Sequence, residues 1–114
     1  MSLQARIRQA VTPLVPEFAA DVYTGDARSY CTLQATQVPA AFGDNRPHAV
    51  RYLAQLHWYF PLWADPTATM RALRAAIGTS RGCTWPTVTD AGDLDGGHLV
   101  FEFDAVDGEV DGGA

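Results

Sequence analysis

The chain has 114 residues, 47% of them apolar, and a formal net charge of -5 at pH 7. That length predicts one domain with a core large enough to fold alone. The acidic balance excludes a DNA-groove protein or a polybasic membrane-surface protein, both of which need clustered positive charge.

All eight basic residues are arginine, which we read as the mark of a GC-rich genome. The two cysteines, Cys31 and Cys83, sit beside apolar residues and read as buried free thiols. Two are too few for a disulfide scaffold or a four-ligand zinc site. The N-terminus lacks a signal peptide's apolar core, and no run approaches the roughly 18 residues of a membrane span. A cytoplasmic protein is expected.

Ser2 is placed to cap a first helix, with Leu3, Ile7, Ala10, Val11 and Leu14 on one face. Pro13 ends or kinks that helix. "PEFAADVYTG" reads as a first strand closed by Gly25, and "ARSYCTLQATQ" alternates as a second. "VPAAFGDNRPH" combines two prolines, a glycine and an Asp-Asn pair without periodicity, so it reads as a loop. Long loops of this kind are mobile or functional.

The next stretch, residues 49 to 60, predicts the longest strand. Val50, Tyr52, Ala54, Leu56, Trp58 and Phe60 share one face by period two. Arg51, Leu53, Gln55, His57 and Tyr59 share the other. Both faces carry apolar side chains, and Pro61 stops the ladder. Asp65-Pro66 starts a second helix whose apolar face is Met70, Leu73 and Ile77. Gly78 weakens that helix and Gly82 is its expected stop. "CTWPTVTDA" reads as a short strand, "GDLDGG" as a turn and "HLVFEFDAV" as the last strand. The tail from residue 107 to 114 is acidic and glycine-rich and reads as flexible, leaving one domain over residues 1 to 106.

The predicted fold is therefore α+β, in the order α-β-β-β-α-β-β. Two helices cover one face of a mostly antiparallel or mixed sheet. The other face, with Leu53 and Tyr59, is left for loops or another protein chain, which points to self-association.

No motif for chemistry holds up against its context. "GTSRG" at residues 78 to 82 matches G-x-S-x-G, but it runs from helix end to strand start, the reverse of a nucleophile elbow. "AGDLDGGHLVFE" places Asp93, Asp95, Gly96 and Glu102 at calcium-loop positions, yet begins with Ala91 and is flanked by strands. His48, His57 and His98 have no metal-ligand spacing on a helix, and His57 reads as a packed, hydrogen-bonded ring. His98 beside Asp95 offers half of an acid–base pair with no nucleophile to serve. The three tryptophans lack the basic groove of a nucleic-acid stacking platform. No catalytic, cofactor-binding or metal-binding set is expected.

"DVYTGDARSY", "VPAAFGDNRPH", the long strand ending at Pro61, "RGCTWPTV" and "HLVFEFDAV" occur in an order that resembles the tail-completion, or tail-terminator, family of tailed phages and prophages. That family includes the tail-to-head joining proteins of siphophages and is similar in fold to the tail terminator of phage lambda. The resemblance covers residues 3 to 106. It rests on Asp21, Tyr23 and Gly25, then Pro39, Phe42 and Asp44, then Gly82, Trp85 and Pro86. The chain departs from it in having no lysine, and in Cys31, Leu33 and Ala35 where larger strand residues are usual.

The resemblance implies a structural protein without chemistry. It would assemble as a ring, usually of six copies, on the head-proximal end of the tail tube. Its partners would be itself, the tail-tube protein and the head connector, with no membrane and no specific nucleic-acid binding. The free protein would be a monomer or weak oligomer in the host cytoplasm, and the ring would sit in the virion tail or neck. A ring needs two different adhesive surfaces on each subunit. The expected interface residues are Pro39, Phe42, Asp44, Arg46, Leu53 and Tyr59. Asp93, Asp95, Asp104 and Asp107 are expected to repel passing DNA. The alternatives are a head-closure protein of the neck, or a small acidic binding or regulatory module of the host.

Overall fold

The computed structural model describes residues 2–38 and 50–107. Its elements are α1 (Leu3–Val11), β1 (Phe18–Ala20), β2 (Tyr30–Val38), β3 (Val50–Phe60), α2 (Thr67–Gly78), β4 (Thr87–Asp90) and β5 (Gly97–Asp107). The fold is α+β, as the patterning predicts.

Ser2 starts α1 by accepting a hydrogen bond from the Ala5 N–H at 3.2 Å. Leu3, Ile7 and Val11 form its buried stripe. The helix stops at Val11, ahead of Pro13, because proline has no N–H to continue it. This break moves the apolar face expected of Leu14. Leu14 is 39% exposed in the following turn, and Val15 takes the buried place instead.

The strand expected over "PEFAADVYTG" shortens to three residues. Asp21 ends it with φ +62, a left-handed conformation that aspartate tolerates. The Asp21 N–H still reaches the Leu33 carbonyl at 3.0 Å. Beyond it the chain turns, and Gly25 leaves room for the Tyr23 phenol, which a Cβ there would strike.

The five strands form one sheet in the order β1-β2-β3-β5-β4. β1 lies parallel to β2, and the remaining pairs are antiparallel. The long strand β3 is central, paired along its length with β2 and β5. Its two-residue alternation is matched across the register. Cys31, Trp58 and Leu99 share a row, as do Leu33, Leu56, Phe101 and Val88. These side chains join Ile7, Val11, Leu73 and Ile77 in one core. Both helices therefore cover the same sheet face.

α2 begins one residue later than Asp65-Pro66 implies. Asp65 still serves the helix start, because its carboxylate accepts the Thr67 N–H at 3.0 Å. At the other end the helix stops at Gly78, ahead of the expected Gly82. There the Thr79 and Ser80 hydroxyls donate to the Ala75 and Ala76 carbonyls, and the Trp85 ring lies against Gly78 so closely that a Cβ would overlap it. Gly82 follows in a left-handed turn, φ +78, with its carbonyl accepting the Val106 N–H.

One side chain ties the ends of the domain together. The Arg6 guanidinium on α1 donates to the carbonyls of Arg81 and Val106. The helix is thus held against both the α2–β4 connection and the last strand. Among the described residues no helix is long and apolar enough to cross a membrane.

Candidate interaction site on the open sheet face

The face away from the helices is built by the alternate residues of β2, β3 and β5. Its first row is Tyr30, Tyr59 and His98, set side by side by the strand register. The rings stack across the strands, with centroids 4.7 Å apart for Tyr30–Tyr59 and 4.1 Å for Tyr59–His98. Tyr23, from the β1–β2 connection, extends the ladder at 4.3 Å from Tyr30. Its hydroxyl donates to Glu17 and accepts the Ala27 N–H, which holds the ring in place. Offset aromatic pairs of this kind add roughly 0.5–1.5 kcal/mol each beyond burial.

The ladder leads to a hydrogen-bonded relay. His57 Nδ1 lies 2.8 Å from His98 Nε2, and His57 Nε2 lies 3.2 Å from Gln55 Oε1. Gln55 in turn donates its amide N–H to Glu102 at 3.1 Å. An ionised carboxylate accepts only, so the direction of the relay is determined from that end. The amide N–H faces Glu102 and the amide carbonyl faces His57. His57 therefore carries its proton on Nε2 and presents a lone pair at Nδ1. His98 supplies the proton between the rings from Nε2.

Burial holds both imidazoles below their ordinary pKa. For His57 the neighbouring His98 pushes the same way while Glu102 opposes, and for His98 both Asp93 and Asp90 oppose. The sign of the linkage follows. The unfolded chain binds protons more readily than the folded one, so stability is greatest above about pH 6.5 and falls as the pH drops below it. The pair accepts one proton on His98 Nδ1 with its inter-ring hydrogen bond kept, but a second, on His57 Nδ1, sets two cationic donors face to face. We expect the urea midpoint to decline between about pH 7 and pH 5, and His57→Gln to flatten that decline. An unchanged slope in the variant would show that other groups cause it.

Further along the face, Arg51 and Asp104 pair at 2.9 Å across β3 and β5. Leu53 stands beside them, 53% exposed. At the opposite end, a cleft of about 610 Å³ is lined by Tyr30, Tyr59, His98, Trp63 and Asp95 among others. Trp63 is 79% exposed there, and Leu62 beside it is exposed as well.

The expected interface residues divide into two groups. Leu53 and Tyr59 are both on this face, Leu53 exposed and Tyr59 half-buried within the ladder. Pro39, Phe42, Asp44 and Arg46 lie outside the described residues. Of the acidic candidates, Asp104 is paired with Arg51, and Asp93 accepts the N–H groups of Asp95 and Gly96. Asp95 is exposed.

In both motif segments a polar side chain serves the local backbone. The Ser80 hydroxyl donates to the Ala76 carbonyl at the end of α2. The Asp93 carboxylate closes the β4–β5 turn. Cys31 is buried, its thiol pushed up to about 12, whereas Cys83 is only half-buried.

Sequence reasoning missed the histidine pair. Its signal was the outward parity of His57 and His98 on their strands. Their meeting required the register that sets Tyr59 opposite His98. No known family model matches the chain, and a search of curated proteins finds no match either.

Proposed function

We propose that this protein is a structural assembly protein of a phage or prophage tail, forming a ring that caps the head-proximal end of the tail tube and joins it to the head connector. The observation that carries the reading is the asymmetry of the sheet. Both helices cover one face, while the other presents exposed Leu53 with Trp63 and Leu62 beyond an aromatic ladder. Such a surface is suited to burial against a neighbouring protein. The tail-terminator motifs of the sequence give the neighbour its identity in this reading. Their residues serve turns and packing: Asp21 ends β1, Gly25 admits Tyr23, and Pro86 is fully buried.

The direct test is electron microscopy of the protein mixed with its cognate tail tubes. The expected image is a ring on the head-proximal end alone. Binding along the tube wall, or no binding, would overturn the proposal. A net charge of -5 on each subunit also predicts no retention of duplex DNA, even at about 50 mM salt where electrostatic attraction is strong. DNA retention at that salt, lost as salt rises, would count against an acidic conduit.

A further inference from the structure

We propose that His57 and His98 together bind one divalent transition-metal ion of the zinc, nickel and copper class on the open sheet face. The geometry carries the inference. Two imidazole nitrogens from adjacent strands, His57 Nδ1 and His98 Nε2, converge to 2.8 Å. Two imidazoles bound to one tetrahedral ion at about 2.0–2.1 Å stand roughly 3.3 Å apart. A tetrahedral bite therefore needs the nitrogens about half an ångström further apart and the two rings turned so that their lone pairs meet at one ion.

The protons are already arranged for it. A metal-bound imidazole donates its other N–H to a carbonyl or carboxylate, which sets the tautomer and aims the lone pair. His57 meets that condition: its Nε2 proton faces Gln55 Oε1, and Glu102 holds Gln55 in that orientation. Its Nδ1 lone pair accepts the His98 Nε2 proton and becomes available to an ion once that proton moves. His98 needs only to move its proton from Nε2 to Nδ1, so two neutral rings bind the ion with no net proton release. Stacking on Tyr59 at 4.1 Å keeps the His98 ring in place.

Imidazole donors favour zinc, copper and nickel over magnesium and calcium. Among the described residues no three His, Cys, Asp or Glu side chains converge. The site therefore supplies two protein ligands, with water completing the coordination.

The test is calorimetric titration of the full chain with Zn2+ and, separately, Mg2+ at about pH 8, where neutral imidazole dominates. One Zn2+ per chain and no Mg2+ is expected. His57→Gln and His98→Gln, each checked for folding by circular dichroism, should each weaken Zn2+ binding at least about tenfold. Should a variant not fold, imidazole nitrogen resonances of the unaltered protein serve instead. Zn2+ should then shift His57 Nδ1 and His98 Nε2. The proposal is overturned by absent Zn2+ binding, by folded variants that keep the affinity of the unaltered protein, or by shifts confined to other groups.

Discussion

Phe101→Ala lowers the unfolding free energy by about 3–5 kcal/mol, the largest loss expected from a core truncation in this domain. Phe101 is fully buried, in the same row as Leu56 on β3 and Val88 on β4. It sits on β5, between the central and edge strands, in the core that both helices cover. Removing its ring costs the transfer of the lost atoms and leaves a cavity that the paired strands on either side cannot close. Domains of this size are stable by only about 5–15 kcal/mol, so the variant should melt far earlier and unfold at much lower urea. Equilibrium urea denaturation checks this, with the slope unchanged. A loss below about 1 kcal/mol would mean that the core relaxes around the site or is packed differently.

Leu53→Asp should leave the fold nearly intact and, on the proposed reading of the open face as a subunit contact, abolish the proposed ring on tail tubes. Leu53 is exposed, so its replacement removes little buried area from the monomer. The new carboxylate stands next to Asp104, its cross-strand partner, whose charge is offset by Arg51. The cost to folding should therefore stay within about 1 kcal/mol. At a subunit interface the same change places an unpaired charge in a desolvated contact. Losses of about 2 kcal/mol or more are usual there, roughly thirtyfold in each contact's affinity. A closed ring repeats the contact at every junction, so the effect multiplies. The measurement is the fraction of tube ends capped, by electron microscopy, together with the variant's melting temperature. Normal capping by a folded Leu53→Asp protein would place the subunit contact elsewhere.

The residues of the open face show how unevenly the sequence reveals a site. Leu53 and Tyr59 were legible as outward-facing because parity along β3 is a local property of the pleat. The Tyr30–Tyr59–His98 ladder was not, since it depends on which residue of β2 and of β5 lies opposite Tyr59. The relay from His98 to Glu102 depends on the same register. A one-residue slip would send His98 to the core face and dissolve both. Trp85 offers a parallel case. Its sequence neighbourhood indicates only a short strand, yet its ring lies so closely against Gly78 that only glycine fits there.

By itself the sequence determined the two helices with their buried stripes, the long central strand with its two faces, and the α+β order. Each of these follows from periodicity, capping or a proline, all of which act within a few residues of the chain. Tertiary structure alone decided that β1 runs parallel to β2 and that β5 inserts between β3 and β4. It alone brought His57 and His98 into contact, from 41 residues apart. Those outcomes arise from competition among distant strands and helices for one core. The register that buries Leu56 and Phe101 in one row is also what sets His57 against His98 on the opposite face.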